Sequence, residues 1–167
     1  TRFLVFGVKG LNEVAANVRS TILLNLLSYM TDKLLIEDNT VAALDELYIW
    51  LDNPVAVEYI RNALKRVRKK NSAMLMASQN GEDFDRPGVR ERTKPLFSIP
   101  PHQFLFNCGT VNKKEFMDLL QLEESEFNII QAPHKGECLY KCGNERYDLL
   151  VTAPAYKEKL FGKAGGK

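Results

Sequence analysis

A chain of 167 residues with 45% apolar content can bury one proper hydrophobic core, so a single globular domain is the expectation. A net charge of +2, with basic residues scattered apart from Lys65, Arg66, Arg68, Lys69 and Lys70, gives no argument from charge for a nucleic-acid partner. Three unevenly spaced cysteines fit reduced thiols in a cytoplasmic protein better than a disulfide framework, and no apolar stretch, Thr21 to Met30 included, is long enough to span a bilayer.

The chain opens at Thr1 directly on an apolar run, without a methionine or a polar lead-in, which suggests a piece of a longer protein. Phe3-Leu4-Val5-Phe6 reads as a short buried strand, with Gly7 and Gly10 bracketing the turn after it. A helix is predicted from about Asn12 to Met30, its core stripe formed by Val14, Val18, Ile22 and Leu26 with Leu11 and Tyr29 extending it. Asp32 to Asn39 connects it to Thr40-Val41-Ala42-Ala43-Leu44, an uncharged run that ends in Asp45-Glu46. That is how a buried central strand of a parallel sheet looks where it emerges at its carboxyl end, the end at which open α/β sheets keep their ligands. The structural alternative is that two acids simply follow a core strand and cap a turn.

Leu47 to Leu51 is apolar and at most a turn and a half of helix. Asp52 or Asn53 then caps a helix whose first position is Pro54, with Val57, Ile60, Leu64 and Val67 as its core stripe. The basic cluster falls in its last turns, where positive charge suits the helix dipole. A second uncharged strand, Ala73 to Ser78, delivers Gln79-Asn80 at its tip, and an amide there can hydrogen-bond both a phosphate oxygen and a water. Gly81 to Gly88 reads as a loop before a helix containing Val89, Leu96 and Phe97, closed by Pro100-Pro101. Phe104 to Asn107 is the next strand, Asn112 starts a helix through Leu120, and a short helix spans Glu123 to Ile130. Alternation of strand and helix up to Leu120 predicts a mainly parallel α/β sheet with helices on both faces. Glu137 to Cys142 and Arg146 to Thr152 flank Gly143-Asn144 as an antiparallel hairpin. His134, Cys138 and Cys142 do not read as a zinc site, because residues four apart on a strand are about 13 Å from each other. Gly162 to Lys167 is expected to be a disordered tail.

Taken in order, the acid pair Asp45-Glu46, the basic helix end Arg68-Lys69-Lys70, the strand ending Ser78-Gln79-Asn80, Glu82-Asp83-Phe84 and the terminal hairpin resemble conjugative type IV secretion ATPases, the VirB-four or TraE-like group. These are relatives of the HerA and FtsK DNA pumps. The likeness covers nearly the whole chain, residues 1–160, as the C-terminal part of a RecA-like P-loop ATPase domain, with 161–167 as tail. It implies ATP and Mg²⁺ as ligands, with Asp45 as the metal acid, Glu46 as the acid that orients the attacking water, and Gln79 as the γ-phosphate sensor. Arg68 sits where relatives carry an arginine that reaches a neighbouring subunit's nucleotide site; Arg90 and Arg92 are the runner-up residues for that role. The family implies a hexamer that powers export of DNA or protein, or pilus assembly, with other secretion subunits on the inner face of the cell membrane.

One departure stands out: no G-x-x-x-x-G-K-[ST] stretch exists, and Gly162-Lys163-Ala164-Gly165-Gly166-Lys167 has the wrong spacing. Without that loop no backbone cradle or lysine meets the β and γ oxygens, so this chain alone is expected to hydrolyse ATP poorly. Two other readings compete, a HerA- or FtsK-like DNA translocase and a non-catalytic interaction module in which Asp45 and Glu46 are merely structural.

Overall fold

Two runs without charge, Val41–Leu44 and Ala73–Met76, are brought side by side as strands β1 and β2, parallel and in register from Val41 opposite Ala73 to Leu44 opposite Met76. The computed structural model describes residues 3–79, 84 and 88–162, apart from the side chains of Lys9 and Asn12. Most of the predicted loop from Gly81 to Gly88, and the predicted tail beyond Gly162, lie outside the described residues. The chain divides into two compact units, Thr1–Ile99 and Pro100–Lys167.

In the first unit, α1 (Ala16–Leu35) and α3 (Pro54–Arg66) pack together against one face of the strand pair. The core there joins Leu34, Leu35, Ala63 and Val67, with Met30, Ala42 and Met74 packed against them. Asn53 caps α3, its side-chain oxygen accepting from the Val55 and Ala56 amides at 3.0 and 3.3 Å, and Pro54 follows at the first helical position as expected. The short apolar run after the acid pair folds as α2 (Tyr48–Leu51), with Ile49, Trp50 and Leu51 buried. A 3-10 turn, Val67–Lys70, leads into β2, and α4 (Arg90–Ser98) packs on α3.

Four expectations for this unit need correction. Phe3 to Phe6 forms no strand: it has no pairing partner among the described residues, and Phe3 and Val5 remain 82% and 70% exposed. A strand exists only through its neighbour's hydrogen bonds, which an apolar run cannot supply. α1 begins later and ends later than the spacing indicated. It buries Leu23, Leu27, Leu34 and Leu35, leaving Val14, Val18, Ile22 and Tyr29 exposed. The sequence around α1 offers two apolar stripes, and the one that faces α3 is the buried one. Finally, β1 and β2 are not doubly buried, because alternate side chains point away from the helices and leave Val41 66% and Leu75 60% exposed. Among the described residues the parallel part of the fold is thus two strands covered on one face.

The second unit is built on an antiparallel sheet ordered β3-β4-β5: His102–Leu105, Glu137–Cys142 and Glu145–Leu150. The hairpin through Gly143-Asn144 forms as predicted. The preceding strand starts two residues earlier than expected and runs antiparallel to β4, with His102 opposite Cys142 and Leu105 opposite Leu139, so it does not extend a parallel sheet. An apolar run as short as Phe104-Leu105-Phe106 carries no mark of which neighbour it will join, so its direction is settled by packing. α5 (Lys113–Leu120) is capped by Asn112, and α6 (Glu124–Gln131) by a reciprocal Glu123–Glu126 capping box. α6 packs on β4. A last helix, α7 (Ala155–Phe161), lies beyond the predicted elements and buries none of its residues. No helix among the described residues is long and apolar enough to cross a membrane.

One face of this sheet carries a ladder of rings. Tyr140 stacks with His102, Phe104 and Tyr147 at centroid distances of 6.0, 4.5 and 5.9 Å, and its hydroxyl lies 2.7 Å from His102 Nδ1. On the opposite face Lys141 is buried and donates to the Leu120 carbonyl at the end of α5, where the helix dipole favours a cation. Burial, and then the Arg146 charge, push its pKa below the ordinary 10.5, while Glu126 acts in the other direction. Between its folded-state pKa and 10.5 the unfolded chain keeps a proton that the folded chain has released. Lys141 therefore makes stability rise with pH across that window, and at lower pH the cost of burying its charge is present in full. The rise is expected in the difference between the unfolding free energies of the wild type and Lys141→Met at stepped alkaline pH, because Cys108, Cys138 and Tyr140, whose pKa values are raised, act in the opposite direction in both proteins.

Candidate nucleotide site at the strand tips

Leu44 and Leu47 are both buried, and they pin the chain on either side of the two acids. The Ala77 amide donates to the Leu44 carbonyl and the Leu47 amide to the Ala77 carbonyl, each at 2.9 Å, so the parallel ladder bridges across Asp45 and Glu46 and leaves them outside it. The turn that does this puts Glu46 in the left-handed region at φ 52°. For a residue with a Cβ that conformation costs roughly 1–2 kcal/mol. It is held from both sides: the Glu46 amide donates to Asp45 Oδ1 at 2.9 Å, and the Glu46 carbonyl accepts from the Ile49 amide at 3.0 Å, starting α2.

Asp45 is exposed and Glu46 half-buried. Gln79, just beyond β2, donates from Nε2 to Glu46 Oε1 at 2.7 Å. The structure thus joins the predicted pair to the predicted amide across a sequence separation of 33. Nothing in the sequence signalled the left-handed turn or the direct Glu46–Gln79 bond.

Arg68 is elsewhere. It sits in the 3-10 turn before β2, at the amino end of the strands, so the length of β2, about 13 Å at the usual rise per residue, separates it from the tip. It does not join Asp45, Glu46 and Gln79 within one chain. Arg90 and Arg92 lie in the first turn of α4, and Arg92 is exposed. Cys138 is wholly buried, its thiol pushed up by burial and then by the Asp148 charge, which marks it as a packing residue. Among the described residues no three His, Cys, Asp or Glu side chains are placed to hold a metal together. A Mg²⁺ ion does not need such a cage, because it keeps several waters and takes one or two carboxylates together with substrate phosphates. The exposed Asp45 carboxylate fits that demand. The phosphate cradle is the component of such a site that these residues do not contain.

An α/β protein with carboxylates and an amide gathered at the carboxyl ends of two parallel strands is the class defined so far. No family model matches the chain. It is 31% identical over 124 residues to a probable TrbE conjugal transfer protein of Sinorhizobium fredii, covering 71% of this chain and 18% of that protein. It is 27% identical over 161 residues to the conjugal transfer protein TrbE of Rhizobium radiobacter, covering 93% of this chain and 19% of that one. The solved structure of VirB4 of Thermoanaerobacter pseudethanolicus superimposes with a TM-score of 0.81 at 27% identity, over 93% of this chain and 43% of that one. The chain belongs to the VirB4/TrbE family of type IV secretion and conjugal transfer proteins, and matches as a C-terminal portion of them. It spans less than a fifth of the length of the two TrbE relatives.

Proposed function

We propose that this chain is the metal-and-water side of an ATP-hydrolysing site on a RecA-like core, working within a longer type IV secretion ATPase. The observation that carries the reading is the Glu46–Gln79 bond of 2.7 Å at adjacent strand tips, with Asp45 exposed beside it. Asp45 would hold Mg²⁺ through its water shell. The bound ion supplies neutralisation of charge on the phosphate oxygens. Glu46 orients a water and accepts its proton, and Gln79 reads the terminal phosphate. The phosphate loop, absent from these 167 residues, comes from elsewhere in the longer protein.

Arg68 stands at the far end of the strands from its own chain's acids, which suits a guanidinium that acts on a neighbouring subunit's nucleotide. A ring of identical subunits, hexameric by family likeness, would bring that guanidinium to a neighbour's site. The relatives' own names, conjugal transfer and type IV secretion proteins, favour export machinery as the partner. A place at the inner face of the membrane, and DNA as one of the cargoes, are part of the proposal by family likeness alone.

Asp45→Asn in the longer protein tests the reading. Mg²⁺-dependent nucleotide binding is expected to weaken by about tenfold or more, with turnover lost, because a neutral amide replaces the metal's carboxylate. Unchanged binding and turnover would leave a non-catalytic interaction module.

A further inference from the structure

We propose that Gln79 is more than a phosphate sensor: its amide, which donates to the Glu46 carboxylate, is a donor for which the terminal phosphate of a nucleotide competes, and a bound nucleotide releases Glu46 by taking it. The inference rests on the ATPase reading above and adds a regulation of the same site.

Both side chains leave strand tips that cannot move independently, since the backbone bonds between Ala77 and Leu44 and between Leu47 and Ala77, at 2.9 Å each, clamp one tip to the other. The left-handed Glu46 backbone, fixed by Asp45 on one side and Ile49 on the other, sets the direction in which the carboxylate leaves. That direction ends on Gln79 Nε2 at 2.7 Å. An amide nitrogen has two donors in one rigid plane, so turning the plane toward a phosphate oxygen changes what it offers Glu46. Glu46 and a γ-phosphate are both anions seeking the same donor group. The contact is solvent-facing, so its net strength is modest and a triphosphate with full charge can displace it. The carboxylate that would orient water is engaged by Gln79 and becomes free when a terminal phosphate takes that donor.

The competition predicts a measurable coupling. In the longer ATPase, Glu46→Ala removes the competitor for the Gln79 amide, so affinity for a non-hydrolysable Mg²⁺-ATP analogue is expected to rise about 3- to 10-fold beyond any effect of removing the charge. The same substitution in a Gln79→Ala background isolates the charge effect, and the excess should vanish there. In the 167-residue chain alone, the Gln79 side-chain amide resonances are expected to move when Glu46→Ala removes the carboxylate oxygen that accepts from them. An equal affinity gain in both backgrounds, or amide signals insensitive to Glu46, would overturn the switch. Turnover surviving in Glu46→Ala would overturn the ATPase reading itself, whereas lost turnover with equal gains would remove the switch alone.

Discussion

Glu46→Gln in the longer ATPase is expected to lower turnover by about 10²- to 10⁴-fold while leaving nucleotide binding in place, the range typical of losing a positioned general base. The substitution preserves shape. A glutamine oxygen at the Oε1 position still accepts from Gln79 Nε2, the backbone bonds to Asp45 and Ile49 do not involve the side chain, and the left-handed turn at φ 52° is unchanged. What is lost is the capacity to accept a proton from water. Steady-state hydrolysis beside equilibrium nucleotide binding separates these effects: a fall in turnover alone assigns Glu46 to the chemistry. A parallel fall in binding would give it a structural role, and no fall at all would return the acid pair to the role of a strand-end turn.

Gly136→Ala is expected to destabilise the second unit by roughly 2–5 kcal/mol, enough to threaten a domain whose total stability is of order 5–15 kcal/mol. Two causes act together. Gly136 has φ 90°, and a Cβ built there would stand 2.4 Å from the Val151 carbonyl oxygen. That oxygen belongs to backbone already tied down, since the Val151 amide donates to the Gly136 carbonyl at 2.7 Å and closes the open end of the β4–β5 hairpin. Neither strand can yield without breaking that bond. Gly143, at the turn of the same hairpin, provides the contrast: φ is 58°, but nothing lies within 4 Å of its Cβ position. Gly143→Ala should therefore cost only the left-handed penalty of about 1–2 kcal/mol. Thermal or denaturant unfolding of both variants checks the difference, and equal losses would mean that the Val151 contact relaxes freely.

Local chemistry explains which features were legible. Asn53-Pro54 starts a helix because a side-chain oxygen and a missing amide solve a problem confined to four residues, and Asn112 supplies the side-chain oxygen alone for α5. The hairpin around Gly143-Asn144 and the emergence of Asp45, Glu46 and Gln79 at strand ends are likewise written in short runs, so these residues could be named before their contacts were known. Legibility stopped where a partner had to be chosen. Val14, Val18 and Ile22 have the helical spacing of a core stripe, yet Leu23, Leu27 and Leu34 are buried, because α3 lies on their side. Phe3 to Phe6 looks like a strand and has no neighbour to pair with among the described residues.

The same division runs through the site. Residue type and order alone were enough to put two acids and an amide at the ends of uncharged strands, since charge cannot continue into a core without a partner. Packing decided that the strands are parallel and in register, that Glu46 must turn left-handed to leave the ladder, and that its carboxylate meets Gln79 across 33 residues of sequence. It also decided that Arg68 stands at the opposite end of the strands from its own acids. Spacing along a chain specifies a face or a cap, whereas contacts between distant residues depend on which faces find each other, and that choice belongs to the whole core.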